Sequence, residues 1–390
     1  MMSLKSAIRR VAGASLMSMM TATAGLADVL PVEEMPSVQT LPKQYPANWL
    51  LLHDLNFFSL IDGKVVVVDV TADNRNYKGA IGAAQFASVI RSAERQEIYV
   101  AETFYSRGTR GTRTDVVTIY DTATLSTVGE IVLPDAKRAL TVTQKGNLRL
   151  TQNQRYLLVF NFTPAASVTI IDLETRAITS EVDVPGCMLT YPMGKQGFAS
   201  LCGDGTMISF QVDDAGQAHR GASTEAFNNL DDDPLFMKSV NLNGIEYFPS
   251  FKGRLQAVDL KGEAPVIGKS LSLIPAADKG WRPGGWQIIA GNGSTVWLLV
   301  HPDGVNGSHK NGGSEVWSFD VTSGKRLSRV TLKNWGVSIE VAGAKAEWLA
   351  VGTASGDLDV YNSATGAFER TIGGRMTANP MVMHNVTGSR

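Results

Sequence analysis

A short β-branched strand that ends in aspartate recurs along this 390-residue chain. The copies read VVVVD to Asp69, VVTIYD to Asp121, VTIID to Asp172, ISFQVD to Asp213, LQAVD to Asp259, VWSFD to Asp320 and LDVYN to Asn362. They are spaced by 52, 51, 41, 46, 61 and 42 residues. A unit recurring every 40–50 residues or so is the signature of a β-propeller, in which each repeat is one four-stranded blade. Seven copies predict an all-β, seven-bladed β-propeller. The fourth copy is out of register by about one residue and marks its blade less clearly.

The surroundings of each copy repeat as well. A turn precedes the strand, as in DGK before VVVVD, KGR before LQAVD and SGD before LDVYN. A second turn and strand follow, as in VTSGKRLSRVTL and NSATGAFERTI. Turn dipeptides between short apolar runs predict a meander of antiparallel strands. No long helical periodicity supports a βαβ alternative.

The first 27 residues are of a different kind. Lys5, Arg9 and Arg10 precede an apolar run from Val11 to Met20, and small residues ending at Ala24 or Ala27 offer cleavage points. This is the pattern of a secretory signal peptide and implies export. A membrane anchor is the alternative, but the apolar run is short of the roughly 18 residues a spanning helix needs. Residues 28–46 hold four prolines and no clear periodicity, and read as an arm or linker ahead of a propeller over 47–390. Removing the signal takes away three positive charges and no negative ones, so the formal charge goes from −1 to −4. Nucleic-acid binders carry basic patches, and nothing here suggests one.

Cys187 and Cys202, the only cysteines, both lie in the exported part. An even pair in an oxidising compartment reads as a disulfide, with a stabilisation of about 3 kcal/mol in the chain-entropy account. Two free thiols or a metal pair are the alternatives, and no histidine stands at ligand spacing to favour metal. The five histidines, His53, His219, His301, His309 and His384, form no HExxH or close pair. A Walker A loop, GxGxxG and GxSxG are all missing. Asp231, Asp232 and Asp233 read as a solvated acidic loop, because the ligand ladder of an EF-hand is lacking. The strand-end aspartates read as turn formers, since Asp side chains bond their own turn backbone. The chain thus carries no self-contained catalytic set or metal site in its sequence.

Several segments resemble, in order, the heavy subunits of quinoprotein amine dehydrogenases. RGTRGTRTDVVTIYD, from Arg107 through Arg110, Arg113 and Asp115 to Asp121, is similar to a stretch in both the methylamine and aromatic types. GWRPGGWQ, Gly280 to Gln287, resembles the methylamine type; HPDG, His301 to Gly304, followed by Gly307, His309 and Lys310, resembles the aromatic type. FTPA from Phe162, DDPLF from Asp232 and CGDG from Cys202 are similar too, with Cys187 where the family has its other disulfide cysteine. The likeness runs from about residue 50 to the C-terminus.

The resemblance implies a periplasmic α₂β₂ heterotetramer whose large subunit is a seven-bladed propeller. The catalytic cofactor, tryptophan tryptophylquinone, would then sit on a small partner subunit. It would oxidise a primary amine to aldehyde and ammonia and pass electrons to a blue-copper protein of the amicyanin or azurin kind. The cofactor would supply the chemistry while this chain sets access and orientation. The family places a large-subunit phenylalanine in the substrate channel, and the matching segment Asp54-Leu-Asn-Phe57-Phe58 makes Phe57 the candidate and Phe58 the alternative; an ordinary rim aromatic is the plainer reading. Trp281 and Trp286 read as packing or interface residues rather than quinone precursors, and Arg282 is, with Trp281, a candidate for the subunit interface. Arg107, Arg110 and Arg113 are candidates for the subunit interface or for a solvated blade connection, and Asp115 close by favours pairing. Methylamine-like and aromatic-like features are mixed, so the amine is not specified. A stand-alone periplasmic propeller that binds a ligand or scaffolds a protein is the competing expectation, and a metal-dependent propeller hydrolase a weaker one.

Overall fold

Burial on both faces accounts for the unbroken valine run of the first repeat. In the strand Lys64–Asp69, Val65 and Val67 pack with Val89, Ile98 and Val100 of the next sheet, while Val66 and Val68 pack with Ala350 and Val360 of the last. All four valines are at most 1% exposed. Alternate side chains of a strand point to opposite faces, so a strand packed on both sides loses the apolar–polar alternation. Burying each valine contributes about 1.5–3 kcal/mol as an upper estimate.

The computed structural model describes residues 39–373 and 376–386. The expected signal peptide, with Ala24 and Ala27, and most of the expected arm lie outside those residues. The last part of that arm is ordered against the sheets: Leu41 donates its amide to the Ala123 carbonyl, and the Tyr45 hydroxyl bonds the Thr122 carbonyl.

The chain forms an all-β propeller of antiparallel sheets. One sheet runs in the order Pro380–Asn385, Trp49–Asp54, Lys64–Asp69, Tyr77–Gly82, so a strand from near the C-terminus pairs with one from near the start. Four more four-stranded sheets follow along the chain, spanning 88–133, 148–183, 187–223 and 240–272. The rest, from Arg282 to Ile372, is a single eight-stranded sheet.

Five separate four-stranded blades therefore stand where seven were expected. The cause is the 17-residue strand Arg326–Ala342. Its first part pairs with Gly313–Asp320 and its second with Trp348–Thr353, so no break divides the sheet. The two parts of this sheet nonetheless face each other: Trp297, Leu299 and Val316 share a core with Val341, Leu349 and Val351. Two of the repeated strands, ending at Asp320 and Asn362, thus share one sheet, whereas the other five lie one to a blade.

The repeated aspartates cap turns. Asp69 Oδ1 accepts the amides of Thr71 and Ala72, Asp121 Oδ1 those of Ala123 and Thr124, and Asp172 Oδ1 those of Glu174 and Thr175. Asp259, Asp320 and Asn362 do the same for Lys261, Ser323 and the pair Ala364 and Thr365. Asp213 accepts from Ala215 and Gln217. Its own amide bonds the carbonyl of residue 217, whereas that of Asp121 reaches residue 126. The turn is one residue shorter, and the fourth strand ends at Val212, one residue before its aspartate.

Consecutive strands are antiparallel, so their connections alternate between the two ends of the propeller. The aspartate turns lie at one end. The connection before each repeated strand, and each crossing between sheets, lies at the other, which we call the loop end.

Candidate functional site

All the family-like segments outside the strands fall at the loop end: the Phe57 loop, the Arg107–Arg110 hairpin tip, the Phe162 loop, Cys202–Gly205, the Asp232 segment, Gly280–Gln287 and His301–Lys310. Phe57, Phe58, Phe104, Phe162, Leu230, Val305 and Trp335 are all exposed there, with Phe58 87% exposed and Phe57 42%. Elsewhere, the exposed large apolar side chains, such as Val266 and Phe368, stand on outer strands.

Phe57 is placed by the strand that precedes it. The buried Asp54 carboxylate accepts the amides of Asn56, Ala378 and Asn379, and Asn379 Oδ1 accepts the Phe57 amide at 3.1 Å. The Phe57 ring lies 6.0 Å from that of Phe86. Gln85 and Phe86 both take left-handed backbone conformations, with φ of 56° and 53°. Such conformations are costly for residues with a Cβ and persist where surroundings hold them. Here the holder is Arg138, which is 1% exposed and donates to the Gln85 carbonyl at 2.8 Å, the Phe86 carbonyl at 3.0 Å and Thr103 Oγ1. Burial lowers the Arg138 pKa to about 10, so the guanidinium stays charged at neutral pH.

The arginine-rich hairpin separates into two kinds. Arg113 forms a two-point pair with the buried Asp115 carboxylate, both bonds at 2.9 Å, and also reaches the Arg138 carbonyl. Arg107 and Arg110 oppose one another at the exposed tip. Trp281 packs 5.1 Å from Trp317 beneath the Arg329 guanidinium, and Arg282 bonds the Lys279 and Trp281 carbonyls with its charge facing the Phe251 ring. Cys187 and Cys202 are directly cross-paired on neighbouring strands and joined as a disulfide. The acidic run is committed locally: Asp232 pairs with Lys252, and Asp233 caps Ser250 and Lys252.

Sequence reasoning missed the cavity at the centre of the loop end. It measures about 560 Å³, and three family-like segments, 232–236, 280–287 and 301–310, supply Phe236, Trp286, His309 and Lys310 to it. Leu235, Met237, Val337 and Met381 make its walls apolar, and Lys238 adds a cation. The Trp286 indole donates to the Thr143 carbonyl, 143 residues away, at 3.0 Å. Beneath lies a small cavity of about 30 Å³, where Gln144 Oε1 and Arg149 Nε find no protein partner. One acceptor and one donor there suit a bridging water. Below it, ion pairs join Lys145 to Glu340 at 2.6 Å and Arg149 to Glu246 at 3.8 Å. Among the described residues, no group of three or more His, Cys, Asp or Glu could hold a metal ion.

The profile of the methylamine dehydrogenase heavy chain family matches residues 47–386. The methylamine dehydrogenase heavy chain of Methylobacillus flagellatus is 29% identical over 307 residues, covering 77% of this chain and 76% of that one. That of Paracoccus versutus is 30% identical over 278 residues, 70% of this chain and 65% of that one. Among solved structures, a periplasmic gluconolactonase of Pseudomonas aeruginosa aligns with a TM-score of 0.59 at 13% identity, covering 86% of this chain and 98% of that one. Dihydro-heme d1 dehydrogenase in complex with DHE aligns at 0.55 and 13%, covering 90% and 78%. At such identity these two likenesses show the fold alone.

Proposed function

The chain belongs to the methylamine dehydrogenase heavy chain family, and from that membership we propose that it is the large, non-quinone subunit of a periplasmic amine dehydrogenase. In this reading it joins a small subunit carrying tryptophan tryptophylquinone in an α₂β₂ heterotetramer. The assembly oxidises a primary amine to aldehyde and ammonia and passes electrons to a blue-copper acceptor.

One observation carries the reading: the exposed aromatic side chains gather at the loop end, around a cavity and a pair of free hairpin arginines. Exposed apolar side chains concentrated at one end of a molecule are the kind of surface that partners cover. A partner seated there would cover Phe57, Phe58, Phe104 and Phe162, and its carboxylates would meet Arg107 and Arg110. Arg113 is satisfied within the chain and contributes shape only. Trp281 and Arg282 serve as packing behind this surface. Phe57, fixed by Asn379 and backed by Phe86, is the side chain best placed to line a route for substrate; Phe58, more exposed, is better placed to touch the partner.

The chain's own tryptophans fit this division of labour. Trp281 and Trp317 come within 5.1 Å but lie under the guanidinium groups of Arg329 and Arg326, in a packing role.

Co-expression with the small subunit tests the reading. A coloured heterotetramer with amine-dependent dye reduction, and a colourless, inactive lone chain, are the expected results. Quinone absorbance in the pure lone chain would overturn it. The competing reading, a stand-alone ligand-binding propeller, is favoured by the central cavity and would be upheld by a monomer that never acquires a partner.

A further inference from the structure

Lys238 stands on the wall of the loop-end cavity without a carboxylate partner. Its Nζ donates to the Gly285 carbonyl at 2.7 Å and lies 4.7 Å from the Trp286 ring centre and 5.9 Å from that of Phe236. Among the described residues no carboxylate comes within ion-pair distance of it, although Lys145 and Arg149 just below each have one. An ammonium has three protons to donate, and the protein takes one. The side chain is largely withdrawn from water, and burial lowers its pKa to about 8.

We propose that this cavity binds an apolar group ending in a carboxylate, with Lys238 as the charge partner. At about 560 Å³ it falls within the size range of small-molecule sites, which pair apolar walls with a few fixed polar groups. No acid lines it, and the other titratable groups on its wall, His309 and Lys310, are basic. The site therefore repels the primary ammonium of an amine and has no carboxylate or thiolate for a metal ion. It attracts an anion, and its walls of Leu235, Phe236, Met237, Val337 and Met381 favour an apolar body over a phosphate. One carbonyl and two aromatic faces answer the Lys238 charge only in part, and an incoming carboxylate would complete it through a charge-assisted hydrogen bond. The geometry is set in advance: the indole of Trp286 is tied to Thr143, and His309 is held against Phe236 and Phe251 at ring distances of 6.2 and 6.3 Å.

The carboxylate has two sources, a free small acid or a side chain of the docked small subunit. The second source rests on the assembly proposed above; the first does not. The full chain is titrated with phenylacetate and with phenylacetamide, followed by calorimetry and tryptophan fluorescence. A free acid as the ligand gives saturable binding of phenylacetate, at least tenfold weaker binding of the amide, and loss of the difference in Lys238→Met. In the second arm, Lys238→Met is co-expressed with the small subunit. At least tenfold weaker assembly, with no binding of phenylacetate by the lone chain, assigns the site to a partner carboxylate. Equal binding of acid and amide, or an Lys238→Met chain that matches wild type in both arms, overturns the proposal. Failure to find any small subunit overturns the assembly reading alone and leaves the first arm to decide.

Discussion

Arg138 grips the carbonyl of Phe86 at 3.0 Å across 52 residues of sequence, and so keeps a left-handed residue in place beside Phe57. Replacing it with methionine removes the donors to the Gln85 and Phe86 carbonyls and to Thr103. Each buried acceptor left unpaired costs about 1–3 kcal/mol. Urea denaturation should therefore show a loss of about 3 kcal/mol or more for Arg138→Met. Arg138→Lys should recover only part of it, because one ammonium cannot reproduce the planar fork. Wild-type stability in Arg138→Met would show that the strained pair needs no clamp.

Phe57 makes the nearest test of substrate access. In the assembled enzyme, Phe57→Ala should shift the ratio of kcat/KM for bulky over small amines by about tenfold, the scale that a gain or loss of apolar contact gives. Steady-state kinetics with a series of primary amines measures it. An unchanged ratio would return Phe57 to the role of a rim aromatic.

The turn aspartates predict a contrast between two substitutions. Asp69 accepts two backbone amides, the Thr71 hydroxyl and the Asn48 amide. Asp69→Ala should cost about 1–2 kcal/mol, as for a lost cap. Asp69→Asn should cost less, since Asn362 makes the equivalent turn naturally. Thermal unfolding of the two variants decides; equal losses would mean that charge, not turn geometry, is what the position requires.

Acid should weaken the propeller through its buried histidines. His53 is fully buried with neither ring nitrogen bonded, and burial lowers its pKa to about 3; His384, buried on the strand paired with it, is shifted the same way by burial, with Lys145 and His53 adding to the effect. The unfolded chain takes up these protons near the ordinary value of 6.5 and the folded chain does not. Stability from this source is complete above about pH 6.5 and falls as the pH drops toward 3. The slope approaches about 1.4 kcal/mol per pH unit for each histidine. Denaturation midpoints between pH 7 and 4.5 should fall steeply in wild type and less steeply in His53→Leu. Parallel slopes would assign the acid response to the carboxylates instead.

What the sequence shows and what it hides divide along contact range. The aspartate turns are local: donor and acceptor lie two to four residues apart, so the repeat displays them directly. The strands are legible for the same reason, since β-branched runs and turn residues alternate within one hairpin. The blade count is not, because nothing in RLSRVTLKNWGVSIEVA separates a strand that stays in one sheet from one that joins two. The family resemblance leads to Phe57 through its neighbours in sequence, but not to Phe86 or Arg138, which meet it only through folding. Lys238 is similarly silent. It follows the DDPLF segment by two residues, and that proximity was the only available signal. Its meaning depends on Trp286 and Gly285, nearly fifty residues on.

The pairing of Pro380–Asn385 with Trp49–Asp54 has a consequence for the order of events in folding. Asp54 bonds the amide of Asn379 across 325 residues, and the same contact positions Phe57. Each of the other sheets can zip up from strands made one after another, but this one stays a strand short until almost the whole polypeptide is available. Closing so long a loop is slow as well as entropically costly. The Phe57 loop is therefore fixed later than Phe104 and Phe162 on their own sheets, and a chain shortened by even a dozen residues would leave the circle unclasped and Phe57 without its anchor.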